Sequence, residues 1–315
     1  MTENPCRVKV RNMSKKKKLL FVFNPYSGKA QIKTQLLEIV DTMVKAGYEV
    51  TIYPTQAAGD AEHKVETEAR GYDLVVCSGG DGTLDETVTG MMRSEKRVPL
   101  GYIPAGSTND FATSLGIPKD MALAAENAVA GKRFGCDVGA FGEDYFVYVA
   151  AFGLFTAVSY KTSQEWKNVL GHAAYILEGV RSLHDIPAYP MQVEYRGAVV
   201  QGEFIYGMIS NSTSVGGFKG MTGKDVELDD GVFEVTLIKK PRNPIELNEI
   251  IASLINLVDD TDMVYSFKAE EVRFVAKQPI PWTLDGEFGG DHEEVVVRNL
   301  CRAVEIMVPS AEIQA

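Results

Sequence analysis

The stretch VVCSGGDGTLDETVTG, Val75 to Gly90, passes from an apolar run through a glycine turn into an amphipathic segment. That order reads as a buried strand, a tight turn and a helix. An aspartate, Asp81, stands at the centre of the turn. A turn that only reversed the chain would not need a carboxylate there, so the loop is expected to approach something charged. Taken alone, the segment reads equally well as an ordinary turn.

The same alternation surrounds it. LLFVFNP (Leu19 to Pro25), a helix from about Gln31 to Ala46, YEVTIYPT (Tyr48 to Thr55) and a helix from about Asp60 to Arg70 come before it. A helix from about Leu84 to Met92 and VPLGYIPAG (Val98 to Gly106) come after. This strand–helix order predicts a parallel sheet covered by helices, with the ligand at the carboxyl ends of the strands. Three such ends carry related residues: NPYSGK (Asn24 to Lys29), SGGDGT (Ser78 to Thr83) and PAGSTND (Pro104 to Asp110). Glycines and small hydroxyl residues just before a helix leave backbone N–H groups free for an anion. Three converging loops of this kind predict a phosphate site.

From about Gly139 the pattern changes to runs of alternating polarity such as YFVYVAAFG, GVFEVTLIKKP and EEVVVRNL, with helical segments only near Trp166 to Leu183 and Pro244 to Val258. The expected fold class is therefore α/β: a parallel-sheet nucleotide-binding domain over 1–138 and a β-rich sandwich or open barrel over 139–315.

Composition narrows the partners. The 315 residues are 45% hydrophobic and 24% charged, an ordinary globular balance, and a net charge of −11 disfavours a nucleic-acid binder. Four cysteines without a CxxC pair suggest neither a zinc site nor a disulfide framework, and point to the cytoplasm. The apolar run after Lys15 to Lys18 is too short for a signal peptide or a membrane span. Those lysines read as a solvated tail before the first strand, with weak attraction to anionic lipid as the sharper alternative. The four histidines match no metal spacing.

Two familiar nucleotide signatures are missing. NPYSGKA lacks the glycine spacing of GxxxxGK[ST], and GGDGTL does not fit GxGxxG. The ordered set NP-x-SGK, GGDGT and P-x-G-[ST]-x-ND-F instead resembles the catalytic domain of the diacylglycerol kinase family. The segments VSYKTSQEWKNVLGHAAYILEG (Val158 to Gly179), ELDDGVFEV (Glu227 to Val235) and LDGEFGG (Leu284 to Gly290) are similar to soluble bacterial members, so the resemblance covers nearly the whole chain.

The resemblance implies ATP and magnesium as cofactors. It places Asn24, Pro25, Tyr26, Ser27, Gly28, Thr55, Gly79, Gly80, Gly82, Thr83 and Ser107 around the nucleotide, with Asp81, Asp110 and Asp137 near the reaction centre. It assigns the proton acceptor to the late DGE motif, with Asp285 first and Glu287 as partner or rival. A magnesium is implied at the side chain of Asp230 and the main-chain carbonyls of Glu227 and Val232. Lys29 and Lys33 would face lipid at a membrane surface, which makes the protein cytoplasmic and peripherally attached, and a homodimer is left open.

The plain alternatives are a β-turn for DG, a hairpin turn for ELDDG, a strand-end turn for Asp137 and a helix cap for Asp110. Four positions depart from the family pattern. Ser107 replaces threonine, Asp85 stands where asparagine is common and Thr113 where arginine is usual, and Thr34 lacks the basic residue of some relatives. NAD kinase, which shares GGDG, and a non-catalytic nucleotide-binding regulator are the competing readings.

Overall fold

The structure, a computed structural model, describes residues 16–310 apart from 29, 108, 155, 157–185, 213, 216–217, 220–225 and 257–260. The apolar runs of the first half become strands β1 (Lys17–Phe23), β2 (Tyr48–Pro54), β3 (Leu74–Gly79) and β4 (Leu100–Pro104). Every residue of β3 and β4 is buried, which is why these segments read as unbroken apolar runs and not as an alternation. β1 pairs in parallel with β2 and β3, and β3 pairs in parallel with β4. Lys17 and Lys18 are not part of a tail. They open β1, with the Lys18 N–H donating to Asp73 Oδ2 at 2.7 Å, because the pairing with β2 extends two residues before the apolar run.

Helices α1 (Ile32–Lys45), α2 (Asp60–Glu68), α3 (Asp81–Arg93), α4 (Asp110–Ser114) and α5 (Met121–Ala130) connect these strands. α1 buries Ile32, Ile39 and Met43 on one stripe. α3 begins at Asp81 itself, three residues earlier than the apolar pattern suggests. It lies against α2 so closely that a Cβ on Gly90 would stand 2.3 Å from the Glu62 carbonyl oxygen. Glu86 of α3 accepts the N–H groups of Gly59 and Ala61 at 2.9 and 3.2 Å, which satisfies the open amino end of α2.

The second half adds β5 (Lys132–Phe141), β6 (Asp144–Phe146), β7 (Val149–Gly153), β8 (Tyr189–Tyr195), β9 (Ala198–Ser210), β10 (Ser214–Val215), β11 (Phe218–Lys219), β12 (Phe233–Lys239), α6 (Pro244–Asn256), β13 (Val264–Ala269), β14 (Glu271–Leu284) and β15 (Glu287–Val308). Its pairings are antiparallel. Long β9 and β14 each pair with both β7 and β8 and so close a circuit. That circuit surrounds an apolar cluster that includes Phe152, Phe204, Phe274 and Trp282. The helix expected near 166–183, and with it the segment 158–179, lies outside the described residues.

The two halves are hydrogen-bonded into one thirteen-stranded sheet, with β5, β6 and β8 pairing beside its main path. β15 leaves the hairpin after Gly286, pairs along β14 and β5, and ends beside β4, where Ile306 is in register with Leu100. The residue division expected at 138 falls inside β5. The result is a mixed α/β fold rich in strand.

Asp137 joins β5 to β15 and to the loop at Gly231. It is fully buried, and its carboxylate accepts the N–H groups of Gly231 and Arg302, each at 2.7 Å. Asp137→Asn would turn an amide N–H toward one of those donors. We expect it to lower unfolding free energy by about 2–3 kcal/mol, read by urea denaturation. An unchanged midpoint would show that these two bonds are dispensable.

Candidate active site

Three strand-end loops meet main chain to main chain. The Asn24 N–H donates to the Ser78 carbonyl at 2.9 Å, and the Ala105 N–H to the Gly79 carbonyl at 2.7 Å. Gly28 (φ +55°) has room for no side chain, since a Cβ would stand 2.1 Å from the Ala105 oxygen. A Cβ on Gly106 would stand 2.6 Å from the Gly80 Cα. These glycines therefore serve the contact between loops before any ligand arrives. Gly82 differs: a Cβ there meets nothing within 4 Å, so this face of the α3 amino terminus is open.

Asn109 shapes the third loop, a role the sequence reading missed. Its Oδ1 accepts the Gly106 N–H at 3.0 Å and the Tyr102 hydroxyl at 3.3 Å, while its Nδ2 donates to the Gly106 carbonyl at 2.8 Å. It has φ +53°, a conformation that asparagine tolerates better than most residues, and that tolerance was the available signal.

The other nucleotide candidates occupy the same junction in different ways. Asn24 Oδ1 accepts the Tyr26 N–H across Pro25 at 2.9 Å, and Ser27 Oγ would stand 3.6 Å from a Cβ on Gly80. Thr55 is buried, its N–H donating to the Phe23 carbonyl at 2.9 Å. The Thr83 side chain folds back over Gly79, and Ser107 is exposed. Lys33 Nζ lies 5.1 Å from the ring centre of the exposed Tyr26, and Lys29 is outside the described residues.

Carboxylates gather beneath the loops. Burial, and next the charge of Asp110, push the Asp81 carboxyl up to about 6, against the pull of the Asp110, Phe111 and Asn109 backbone N–H groups. Asp81 Oδ1 is buried without a hydrogen-bond partner. Such an oxygen beside a second carboxylate suits a hard divalent cation, which would relieve both the burial and the repulsion. Burial, followed by the charges of Asp285, Asp81, Asp110 and Asp85, raises Tyr148 well above its ordinary value, so all four acids act on one phenol.

The late motif forms a turn. Asp285 and Gly286 have φ of +49° and +91°, the pattern of a two-residue hairpin for which Asp-Gly is favoured. This turn directs the Asp285 carboxylate inward, where it accepts the N–H groups of Val147, Tyr148 and Val149 at 2.6, 3.0 and 2.8 Å. Burial pushes it up to about 6 against those donors. Glu287, two residues on, is exposed.

The Glu227–Gly231 loop adjoins β5. Asp230 Oδ1 accepts the Val232 N–H at 3.1 Å, and Oδ2 lies 3.7 Å from Lys268 Nζ, which is also 3.1 Å from Glu234. Asp137, grouped with the reaction centre by resemblance, has both carboxylate oxygens on backbone N–H groups of this loop and of β15. Among the described residues no helix is long and apolar enough to cross a membrane.

Glycine loops at the amino end of α3, close to buried carboxylates, are the parts that a phosphotransferase uses. Residues 18–141 match the diacylglycerol kinase catalytic domain. The chain is 34% identical over 297 residues to the diacylglycerol kinase of Bacillus subtilis, covering 93% of this chain and 97% of that one. It is 34% identical over 298 residues to a diacylglycerol kinase of Staphylococcus aureus, covering 94% and 93%. A crystal structure described as a candidate diacylglycerol kinase from Bacillus anthracis superposes with a TM-score of 0.78 at 25% identity, over 95% of this chain and 99% of that one. The chain belongs to the diacylglycerol kinase family and is a kinase.

Two glycines separate the packing role from the ligand role. Gly106→Ala should cost about 1–3 kcal/mol of stability. Gly82→Val should melt close to wild type yet weaken ATP binding at least about ten-fold, measured by calorimetric titration. Unchanged affinity in the Gly82 variant would remove the open face of α3 from the site.

Proposed function

We propose that the enzyme transfers the γ-phosphoryl group of ATP, with magnesium, to a hydroxyl of diacylglycerol or a closely related lipid. The observation that carries this reading is the buried, unpartnered Asp81 oxygen beside Asp110, at the amino end of α3 where the glycine loops meet. The names of the relatives support the lipid as acceptor.

The loops at Asn24 to Gly28, Gly79 to Thr83 and Gly106 to Ser107 bind and orient the phosphates, aided by the positive end of α3. Asp81 and Asp110 would hold the magnesium, which neutralises charge on the phosphates when bound. Asp285 accepts the proton of the attacking hydroxyl. A carboxyl pushed up to about 6 and held by three backbone donors is a fixed base poised near neutral pH. The exposed Glu287 assists at the rim. Lys29 and Lys33 meet the lipid surface from outside, as a peripheral contact.

Radiolabel transfer from ATP across a panel of lipids in mixed micelles tests this directly, with diacylglycerol expected to be labelled. Asp285→Asn should lose most of its turnover at unchanged ATP affinity, and Glu287→Gln should lose less. Label entering NAD and no lipid would contradict the proposal, and the reverse order of the two variants would move the base to Glu287.

The loop at Asp230 is the second metal position in this proposal, through the Asp230 carboxylate and the Glu227 and Val232 carbonyls. Oxygen ligands suit magnesium, and an amide binds it less well. Asp230→Asn should raise the magnesium concentration needed for half-maximal activity several-fold, with activity recovered at excess magnesium. An unshifted requirement would leave Asp230 a turn residue.

A further inference from the structure

Strands β12 and β13 set two opposite charges side by side. Glu234 of β12 is in register with Lys268 of β13, and residues directly opposite in an antiparallel pair share one face of the sheet. Both carboxylate oxygens of Glu234 are closed off from solvent, whereas the Lys268 side chain is 37% exposed. The Lys268 Nζ lies 3.1 Å from Glu234 Oε1 and 3.7 Å from Asp230 Oδ2, so one ammonium stands between two carboxylates. Glu234, shut away from water, needs a cation beside it. Asp230, partly open to water, needs one less.

The loop that carries Asp230 does not owe its shape to this lysine. Asp137 donates its N–H to the Leu228 carbonyl at 2.9 Å and accepts the Gly231 N–H at 2.7 Å. Arg302 donates to the Asp229 carbonyl at 3.2 Å and pairs with the Asp229 carboxylate at 3.0 Å. Asp230 itself accepts the Val232 N–H through Oδ1 at 3.1 Å. Lys268 can therefore leave Asp230 without unravelling the loop, and Glu234 is already there to hold it. That the chain seats its own cation beside Asp230 agrees with a cation position at this carboxylate.

We propose that Lys268 is an internal cation that competes with magnesium for Asp230, and that Glu234 holds it when the metal is bound. This rests on the reading of Asp230 as a metal position. Without magnesium, the ammonium offsets the Asp230 charge across the longer of its two contacts. A divalent ion brings twice the charge to the same carboxylate and repels the ammonium, which withdraws toward Glu234. Glu234 keeps its partner in both states, so neither state leaves a buried carboxylate unpaired. Lys268 and Glu234 are positioning residues: together they set the magnesium concentration at which the loop fills.

Calorimetric titration with magnesium in the absence of nucleotide reads this loop, with Asp230→Asn as the blank. Glu234→Gln should weaken binding several-fold, because Lys268 then stays with Asp230. The double variant Lys268→Met/Glu234→Gln should bind magnesium several-fold more tightly than wild type. Those two changes leave the net charge as it was and bury no unpaired carboxylate, so neither a long-range field nor a folding defect accounts for such a gain. Wild-type affinity in the double variant, or in Glu234→Gln, would overturn the competition and leave the metal position standing. A wild-type heat that Asp230→Asn does not reduce would overturn the metal position, and the competition with it. Crystal structures of the wild type grown with and without magnesium need no variant. Lys268 should keep Glu234 and lose Asp230 when the metal is bound, and a lysine still against Asp230 beside the bound metal would contradict the proposal.

Discussion

The site depends on main chain meeting main chain where three strand-end loops cross. A side chain on Gly28 would collide with Ala105, and one on Gly106 would collide with Gly80. Parallel pairing of β1, β3 and β4 brings these loops to one edge of the sheet, and small residues let them touch. The loops are then stiffened by bonds of their own, above all those of Asn109 to Gly106 and Tyr102. Loops fixed in this way would need little rearrangement in the proposed phosphate binding.

The second half of the chain contributes one carboxylate delivered from far away in sequence. The hairpin at Asp285 and Gly286 is short because β14 and β15 are long, paired partners, and its position is fixed by backbone donors from Val147 to Val149. From there β15 runs back to β4, so the hairpin is anchored to the same sheet that carries the phosphate loops. In the proposed reaction, this lets a buried base serve the nucleotide loops without a flexible linker between them.

Much of this was legible in the sequence for a physical reason. Strands buried on both faces must be apolar throughout, so β1, β3 and β4 stood out, and glycine turns marked their ends. The return of β15 to β4 was not legible, because that pairing depends on which sheet edge lies open and not on the local pattern of EEVVVRNL. Asp85 was visible only as a departure from the family. Its spacing of four from Asp81 places both acids on one helix face, but the burial of its Oδ1 is a tertiary fact. Of the two readings of DGE, the structure shows the turn, and the same turn carries the Asp285 carboxylate inward onto the backbone of Val147 to Val149.

The central claim is that the three loops form one phosphate site. Hydrogen–deuterium exchange with and without magnesium and ATP tests it directly. The account predicts that the amides of Tyr26 to Gly28, Gly80 to Thr83 and Gly106 to Asp110 gain protection together, with the same dependence on nucleotide concentration. Protection confined to one loop, or arising elsewhere in the chain, would contradict it.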